Sequence, residues 1–293
     1  MSHSVVLVAG SLHYDIMVET GHLPRVDETA VGSRWYPKFG GKGGNQAVSA
    51  RRQGAETRML GAVGADDFAT FLRAKLAESG VDDRFVKTAV GSGSGMSVAL
   101  MLPNGDYAAT IVSGANLMIS AADFAPDAVW ADVGLLVLQN EMPEAANIAA
   151  AAEARRRGVR TVLNAAPYRP MSPDFSALVD ILVVNAVEAE MMGAEMMGSE
   201  KICGLPAAAD AARKLSDQFE SVVVTAGAQG LAAISATDEL LVLPAEKVTV
   251  VSSHGAGDAF IGALAARLIS GATLQDACRF ASVAAARHVA GLA

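Results

Sequence analysis

From residue 4 onward the chain keeps returning to one arrangement: a short apolar run, a turn, and a longer stretch with helical periodicity. "SVVLVAG" (4–10) reads as a buried strand, and "GNQAVSARRQGA" (44–55) as a helix stopped at Gly54. "ETRMLGAVG" (56–64) reads as a strand, and "DDFATFLRAKLAESG" (66–80) as an amphipathic helix with a glycine stop. The series continues as strand 134–138, helix 143–157, strand 160–164, strand 179–184, helix 206–218, strand 221–226, and helices 258–270 and 273–289. Apolar runs this short, set between helices, suit parallel strands. A parallel pair needs a crossover, the crossover helices cover both faces of the sheet, and alternation is lost. The expected class is α/β: a doubly wound, mostly parallel sheet flanked by helices.

Two regions break the rhythm. "YDIMVETGHLPRVDETAVGSRWYPKFGG" (14–41) and "SGMSVALMLPNGDYAATIVSGAN" (94–116) hold no good helix. Both show strand-like alternation and turn signals, including Asn104-Gly105. They read as a small β-sheet lid formed by about 14–39 and 94–113, or as ordinary edge hairpins. The 293 residues, 52% hydrophobic, otherwise read as one domain over 1–293.

The net charge of −8 argues against binding nucleic acid through its phosphates. A nucleotide is still admissible, because backbone N–H groups and Mg²⁺ can meet its charge. Cys203 and Cys278 read as small buried hydrophobes rather than a disulfide framework or a zinc site. "MSHSVVLVAG" has no basic region, and no apolar run approaches the ~20 residues of a membrane span. The chain therefore reads as cytoplasmic, with no membrane partner. Met191, Met192, Met196 and Met197 read as core filler, and Arg155, Arg156 and Arg157 as a solvated helix end.

Four stretches carry chemistry. In "HGAGDAF" (254–260), Gly255, Ala256 and Gly257 precede Asp258 at the mouth of a helix. Small residues leave the first-turn N–H groups open to an anion. Asp258 is then either a plain first-turn acid or a general base for a hydroxyl attacking a phosphoryl group. In "FGGKGGNQA" (39–47), four glycines surround Lys42 and lead to Asn45, without the Walker spacing. This is a tight turn into a helix or a close approach to a hydroxylated ligand. In "NAVEAE" (185–190), Asn185 and Glu188 follow an apolar strand. They suit a helix cap, or a hydrated Mg²⁺–phosphate at a strand end. In "VVVTAGAQG" (222–230), Thr225 and Gly227 sit where a strand turns and could meet nucleotide phosphates.

In order and spacing, "GSLHYD" (10–15), "FGGKGGNQA", "GAVGADDFA" (61–69), "NAVEAE", "TAGAQG" and "GAGDAF" resemble the ribokinase-like, or PfkB-type, carbohydrate kinases from residue 5 to about 289. The resemblance implies an α/β core with a β lid and ATP-dependent phosphorylation of a sugar's primary hydroxyl, most simply on D-ribose or a related pentose. It implies Asp258 as base and Gly255, Ala256 and Gly257 as anion hole. Asn185 and Glu188 would manage Mg²⁺ and phosphate, with Thr225, Gly227 and Gly257 at the nucleotide. His13, Asp15, Gly41, Lys42, Asn45 and Glu141 of "LQNEMP" would join Asp258 around the sugar. It also implies a homodimer through the lid.

Three departures accompany the resemblance. His13 stands where ribokinases usually carry Asn. A nucleoside or another sugar, packed over His13 and Met101, is the alternative substrate. Ser252-Ser253-His254 replaces the usual Asp-Thr-x, and the sequence stops at "RHVAGLA" (287–293), where members commonly add a Gly- and Ser-containing segment. These two point to a lost or altered site for a monovalent cation such as K⁺ and to a more open adenine pocket. A sugar- or nucleotide-binding sensor without turnover is the reading from another class.

Overall fold

The protein is described here by a computed structural model, which covers residues 4–104, 106–197, 204–236 and 239–292. Gly105 and Cys203, and the side chains of Met196 and Met197, lie outside the described residues.

Along the chain, β1 (Val5–Ala9), β2 (His13–Thr20) and β3 (Gly32–Gly40) precede α1 (Lys42–Arg52). Next come β4 (Glu56–Val63), α2 (Asp67–Glu78), β5 (Asp82–Thr88), β6 (Gly95–Met101) and β7 (Tyr107–Val112). Three single-turn segments lead to β8 (Val133–Gln139), α3 (Glu144–Arg156), β9 (Arg160–Asn164), the short α4 (Pro173–Ser176) and β10 (Ile181–Asn185). The chain continues through α5 (Ala186–Met197), α6 (Gly204–Leu215), β11 (Ser221–Thr225), β12 (Gly230–Ser235), β13 (Leu241–Pro244), α7 (Ala256–Ile269) and α8 (Leu274–Val289).

Nine strands form one sheet in the order β13-β12-β11-β10-β9-β8-β1-β4-β5. The strands from β11 to β5 pair in parallel, and β12 and β13 add an antiparallel edge. Side chains of β1 show why the sheet is buried on both sides. Leu7 and Ala9 join the core with α3 and α6, while Val6 and Val8 join the core with α1, α7 and α8. The expected doubly wound sheet is what forms. Strands β5, β12 and β13 were not apparent in the sequence. The first carries charged and half-exposed residues, and β12 ("GLAAIS") is rich in residues with weak strand preference. Pairing with the sheet is what makes them strands: β5 and β13 are its two edges, and β12 is held between β11 and β13.

β3-β2-β6-β7 make a separate four-stranded sheet, built from the two regions that broke the helical rhythm. Its strands span residues 13–20, 32–40, 95–101 and 107–112. Among the described residues no helix is long and apolar enough to cross a membrane. Cys278 is buried, and burial pushes its thiol up to about 12. Met192 is buried as expected, but Met191 is exposed, because it falls on the outer face of α5.

Helices α1 and α7 cross closely on one face of the main sheet, and this crossing builds the site. A Cβ on Gly262 would overlap Ser49 Cβ and lie 2.5 Å from Ala50 N, so only glycine permits this approach. Ser49 Oγ donates to the Ala259 carbonyl (2.9 Å) and pins the crossing.

Candidate active site

The strand order reverses between β1 and β8. From β1 the chain moves outward to β4 and β5, and from β8 it moves the other way to β9, β10 and β11. Such a reversal opens a crevice at the carboxyl ends of the strands. Ser11 follows β1 and Glu141 follows β8, and Ser11 Oγ donates to Glu141 Oε2 across that point. The Lys42 N–H donates to the same oxygen (2.9 Å). Lys42 thus opens α1 rather than preceding it, as the sequence reading had it. Its N–H is free of the helix ladder and reaches Glu141. Glu141 therefore ties together both strand ends and the start of α1.

Helix α7 begins two residues earlier than the expected start at 258, with Gly255 as its cap at φ 80°. Asp258 is the third helical residue, yet no side-chain cap bond is present at this end. Its carboxylate turns to α1 instead. Asn45 Nδ2 donates to Oδ2 (3.3 Å) and Gln46 Nε2 donates to Oδ1 (3.0 Å). Burial pushes the Asp258 carboxyl above the usual range, and Glu141 adds to the rise. The Lys42 charge and the two amide bonds partly offset it. A carboxylate raised in this way is better matched to taking a proton near neutral pH. The Ala256 N–H returns to the Ser253 carbonyl (3.3 Å), so the expected row of open donors over 255–258 is narrower. Gly257 and Asp258 remain as first-turn donors without an intrahelical acceptor.

Two clefts meet here. One is lined by Lys42, Asn185, Glu188, Thr225, Gly257 and neighbours. Asn185 and Glu188 form a reciprocal cap at the start of α5: Asn185 N–H donates to Glu188 Oε2 and Glu188 N–H to Asn185 Oδ1, each at 2.8 Å. Burial raises the Glu188 carboxyl, against the Asn185 N–H and the Lys42 charge. Thr225 stands at the end of β11, its Oγ1 3.4 Å from the Val184 carbonyl. Gly227 lies one turn further out, exposed, and does not line this cleft. Among the described residues no three His, Cys, Asp or Glu side chains converge on a metal position. A Mg²⁺ here would keep mostly phosphate and water ligands, which suits its reluctance to dehydrate.

The other cleft lies between α1, α2 and α8, meets the second sheet at Lys38 and Phe39 of β3, and is lined also by Asn45, His254, His288 and neighbours; His13, Asp15, Gly41 and Glu141 do not line it. Asp15 on β2 is buried, sits opposite Lys38 in the β2–β3 ladder, and accepts from Ser97 Oγ (2.5 Å) on β6. Burial lowers the Lys38 ammonium, and Asp15 holds it up. His13 is only 4% exposed, and its Nε2 has no hydrogen-bond partner among the described residues. Asn116 clamps the start of β2 by bonds to the Leu12 N–H (2.9 Å) and carbonyl (3.0 Å). Gly255 and Asp258 are the residues common to the two clefts.

Sequence reasoning missed several of these groups. Lys38, Ser97 and His254 carried no signal of their own. His254 lies in reach of the Lys38, Lys42 and Asp15 charges, and burial with the two lysines lowers its imidazole. Gln46 stood inside a quoted motif, beside Asn45, without a role.

A family model described as pfkB family carbohydrate kinase matches residues 4–290. Ribokinase of Mus musculus is 32% identical over 265 residues, covering 89% of this chain and 81% of that protein. Deoxyribokinase of Salmonella typhi is 30% identical over 292 residues, covering 98% and 92%. The structure of Arabidopsis thaliana ribokinase complexed with ribose and ATP superposes with a TM-score of 0.88 at 26% identity, covering 99% of this chain and 93% of that one.

Proposed function

The chain belongs to the pfkB family of carbohydrate kinases, and we propose that this sugar kinase phosphorylates the primary hydroxyl of D-ribose or a related pentose with ATP. One observation supports this reading above the others: Asp258 lines the cleft at the strand ends, accepts from Asn45 of the glycine-rich turn, and faces the Lys42 and Glu141 charges. A phosphoryl donor in that cleft and a sugar held by those residues would meet at its carboxylate.

In this reading Asp258 takes the proton from the sugar hydroxyl as that oxygen attacks the γ-phosphorus in line, and the bond from the γ-phosphorus to the bridging oxygen breaks to release ADP. Its two amide bonds leave a lone pair on each oxygen for the substrate. The Gly255-Ala256-Gly257 turn is the anion hole through the Gly257 and Asp258 N–H groups, since Ser253 holds the Ala256 N–H, with the α7 N-terminus directed at the developing charge. His13, Asp15, Gly41, Lys42, Asn45 and Glu141 hold the sugar, Asn185, Glu188, Thr225 and Gly257 hold the nucleotide's phosphates, and Gly227, outside that cleft, would meet only a part of the nucleotide that extends beyond it. Mg²⁺ carried by the ATP phosphates and water beside Asn185 and Glu188 would neutralise phosphate charge. Closure of the second sheet over the sugar would exclude water and limit ATP hydrolysis.

A homodimer through that sheet belongs to the proposal. Its edge strand β7 exposes Tyr107, Ile111 and Val112, an apolar edge that a second copy would cover, and the opposite edge strand β3 exposes Trp35. A cytoplasmic location goes with ATP as donor.

The test is ADP release with Mg·ATP across ribose, 2-deoxyribose, other sugars and nucleosides, with Asp258→Asn as control. Ribose-dependent release that the variant loses supports the assignment. Release with a nucleoside alone moves the substrate. Binding of ATP without release for any acceptor rejects the kinase reading in favour of a sensor.

A further inference from the structure

Behind Asp258 runs a chain of buried side-chain amides that the proton transfer itself does not use. Gln46 Nε2 donates to Asp258 Oδ1 (3.0 Å) and to Asn164 Oδ1 (3.1 Å). Gln46 Oε1 accepts from Gln139 Nε2 (2.8 Å), and the Gln139 backbone carbonyl accepts from Asn147 Nδ2 (2.9 Å). Gln46, Gln139 and Asn147 are fully buried. We propose that Gln46 is a positioning residue for the base: it holds the Asp258 carboxylate in one orientation and is itself held by Gln139.

The directions of the bonds linking Asp258, Gln46 and Gln139 follow from the carboxylate. An ionised Asp258 only accepts, so Gln46 must present its NH₂. That turns Gln46 Oε1 to Gln139, and Gln139 must then present its own NH₂. Gln139 Oε1 is left facing Gly10 with no partner among the described residues. A Cβ at Gly10 would overlap that oxygen, so the amide has room only because residue 10 is glycine. Leaving a buried oxygen unpaired is costly. The arrangement accepts that cost while keeping the Gln46 NH₂ on Asp258. The Asn45 bond to the other carboxylate oxygen is longer (3.3 Å), and Asn45 also lines the cleft between α1, α2 and α8. Gln46 lines neither cleft and so serves the base from behind.

The inference rests on Asp258 being the base, and a double-mutant cycle separates the two claims. Wild type, Gln46→Met, Asp258→Asn and the double variant are compared for ADP release at saturating sugar and Mg·ATP. Gln46→Met is expected to lower kcat about 10- to 100-fold, the worth of one hydrogen bond to a charged group. Both KM values should stay within about threefold, since the contact is not with substrate. The acidic limb of the kcat–pH profile should move to higher pH, because the ionised form loses a donor. Lys42 and Glu141, the charged groups facing Asp258, are unchanged in the variant.

In the Asp258→Asn background, Gln46→Met should cause no further fall. A multiplicative loss there, or an unmoved acidic limb, would overturn the role of Gln46 while leaving the base intact. Full turnover in Asp258→Asn alone would instead remove the base, and this inference with it. If Gln46→Met does not fold, Gln139→Met carries the same test one step back. It should give the same upward movement of the limb, smaller in size, and no movement refutes the proposal.

Discussion

Replacing Asp258 with Asn separates what the carboxylate does for the reaction from what it does for the fold. A general base is worth about 10²–10⁴ in turnover. At about 1.36 kcal/mol per decade, that is roughly 2.7–5.4 kcal/mol of barrier. For stability the sign runs the other way. The folded Asp258 carboxyl lies above its ordinary value, chiefly because burial disfavours the charge. A carboxyl raised on folding supports the fold while it is protonated. That support fades as pH rises from the unfolded value through the folded one, so at neutral pH the buried charge is a cost. Asn removes the charge but faces two donors, Asn45 Nδ2 and Gln46 Nε2, and its oxygen can satisfy only one of them without a flip. The two effects oppose, so the midpoint at pH 7.5 should stay within about 3 °C of wild type, the size of a 1 kcal/mol change. The assay is coupled ADP release, with calorimetric ATP titration to show that the nucleotide still binds. Turnover within tenfold of wild type in folded protein would refute the assignment of the base. A collapse of the midpoint would show instead that the carboxylate mainly holds α1 to α7.

Other outcomes follow from the same geometry. The acidic limb of kcat/KM for the wild-type enzyme should lie above the ordinary carboxylate range, since Asp258 must be ionised to act and its pKa is raised; a limb at or below that range contradicts the burial argument. Gly262→Ala should destabilise by about 1–3 kcal/mol, the usual range for overpacking. Its new Cβ meets the backbone of Ala50, so Ser49→Gly should not fully restore the midpoint in thermal denaturation. Turnover should be equal in potassium and choline chloride, because Ser252 brings no charge and its Oγ accepts from the His254 N–H (3.3 Å); strong activation by potassium would show a cation site built without it.

The sequence by itself determined the class of fold and the chemistry of the motifs. Short apolar runs between helical periods already require a covered parallel sheet, and the helix-free stretches at 14–41 and 94–116 already mark a second one. Glycines beside Lys42 and Asp258 announce backbone that a ligand can approach. These are local signals, set by period and by which residues tolerate a given turn. The tertiary structure decided which of these groups serve one another. Gln46 and Gln139 stand 93 residues apart, and Asn45 and Asp258 stand 213 apart. They meet because β1 and β8 are neighbours and because α1 crosses α7 at Gly262. Ser97 reaches Asp15 only through the pairing of β6 with β2. The outer strands β5, β12 and β13 exist only because a sheet is there to receive them. Periodicity encodes the face a residue turns to the core. It does not encode which strand end lies beside which, and a hydrogen bond across the site depends on that.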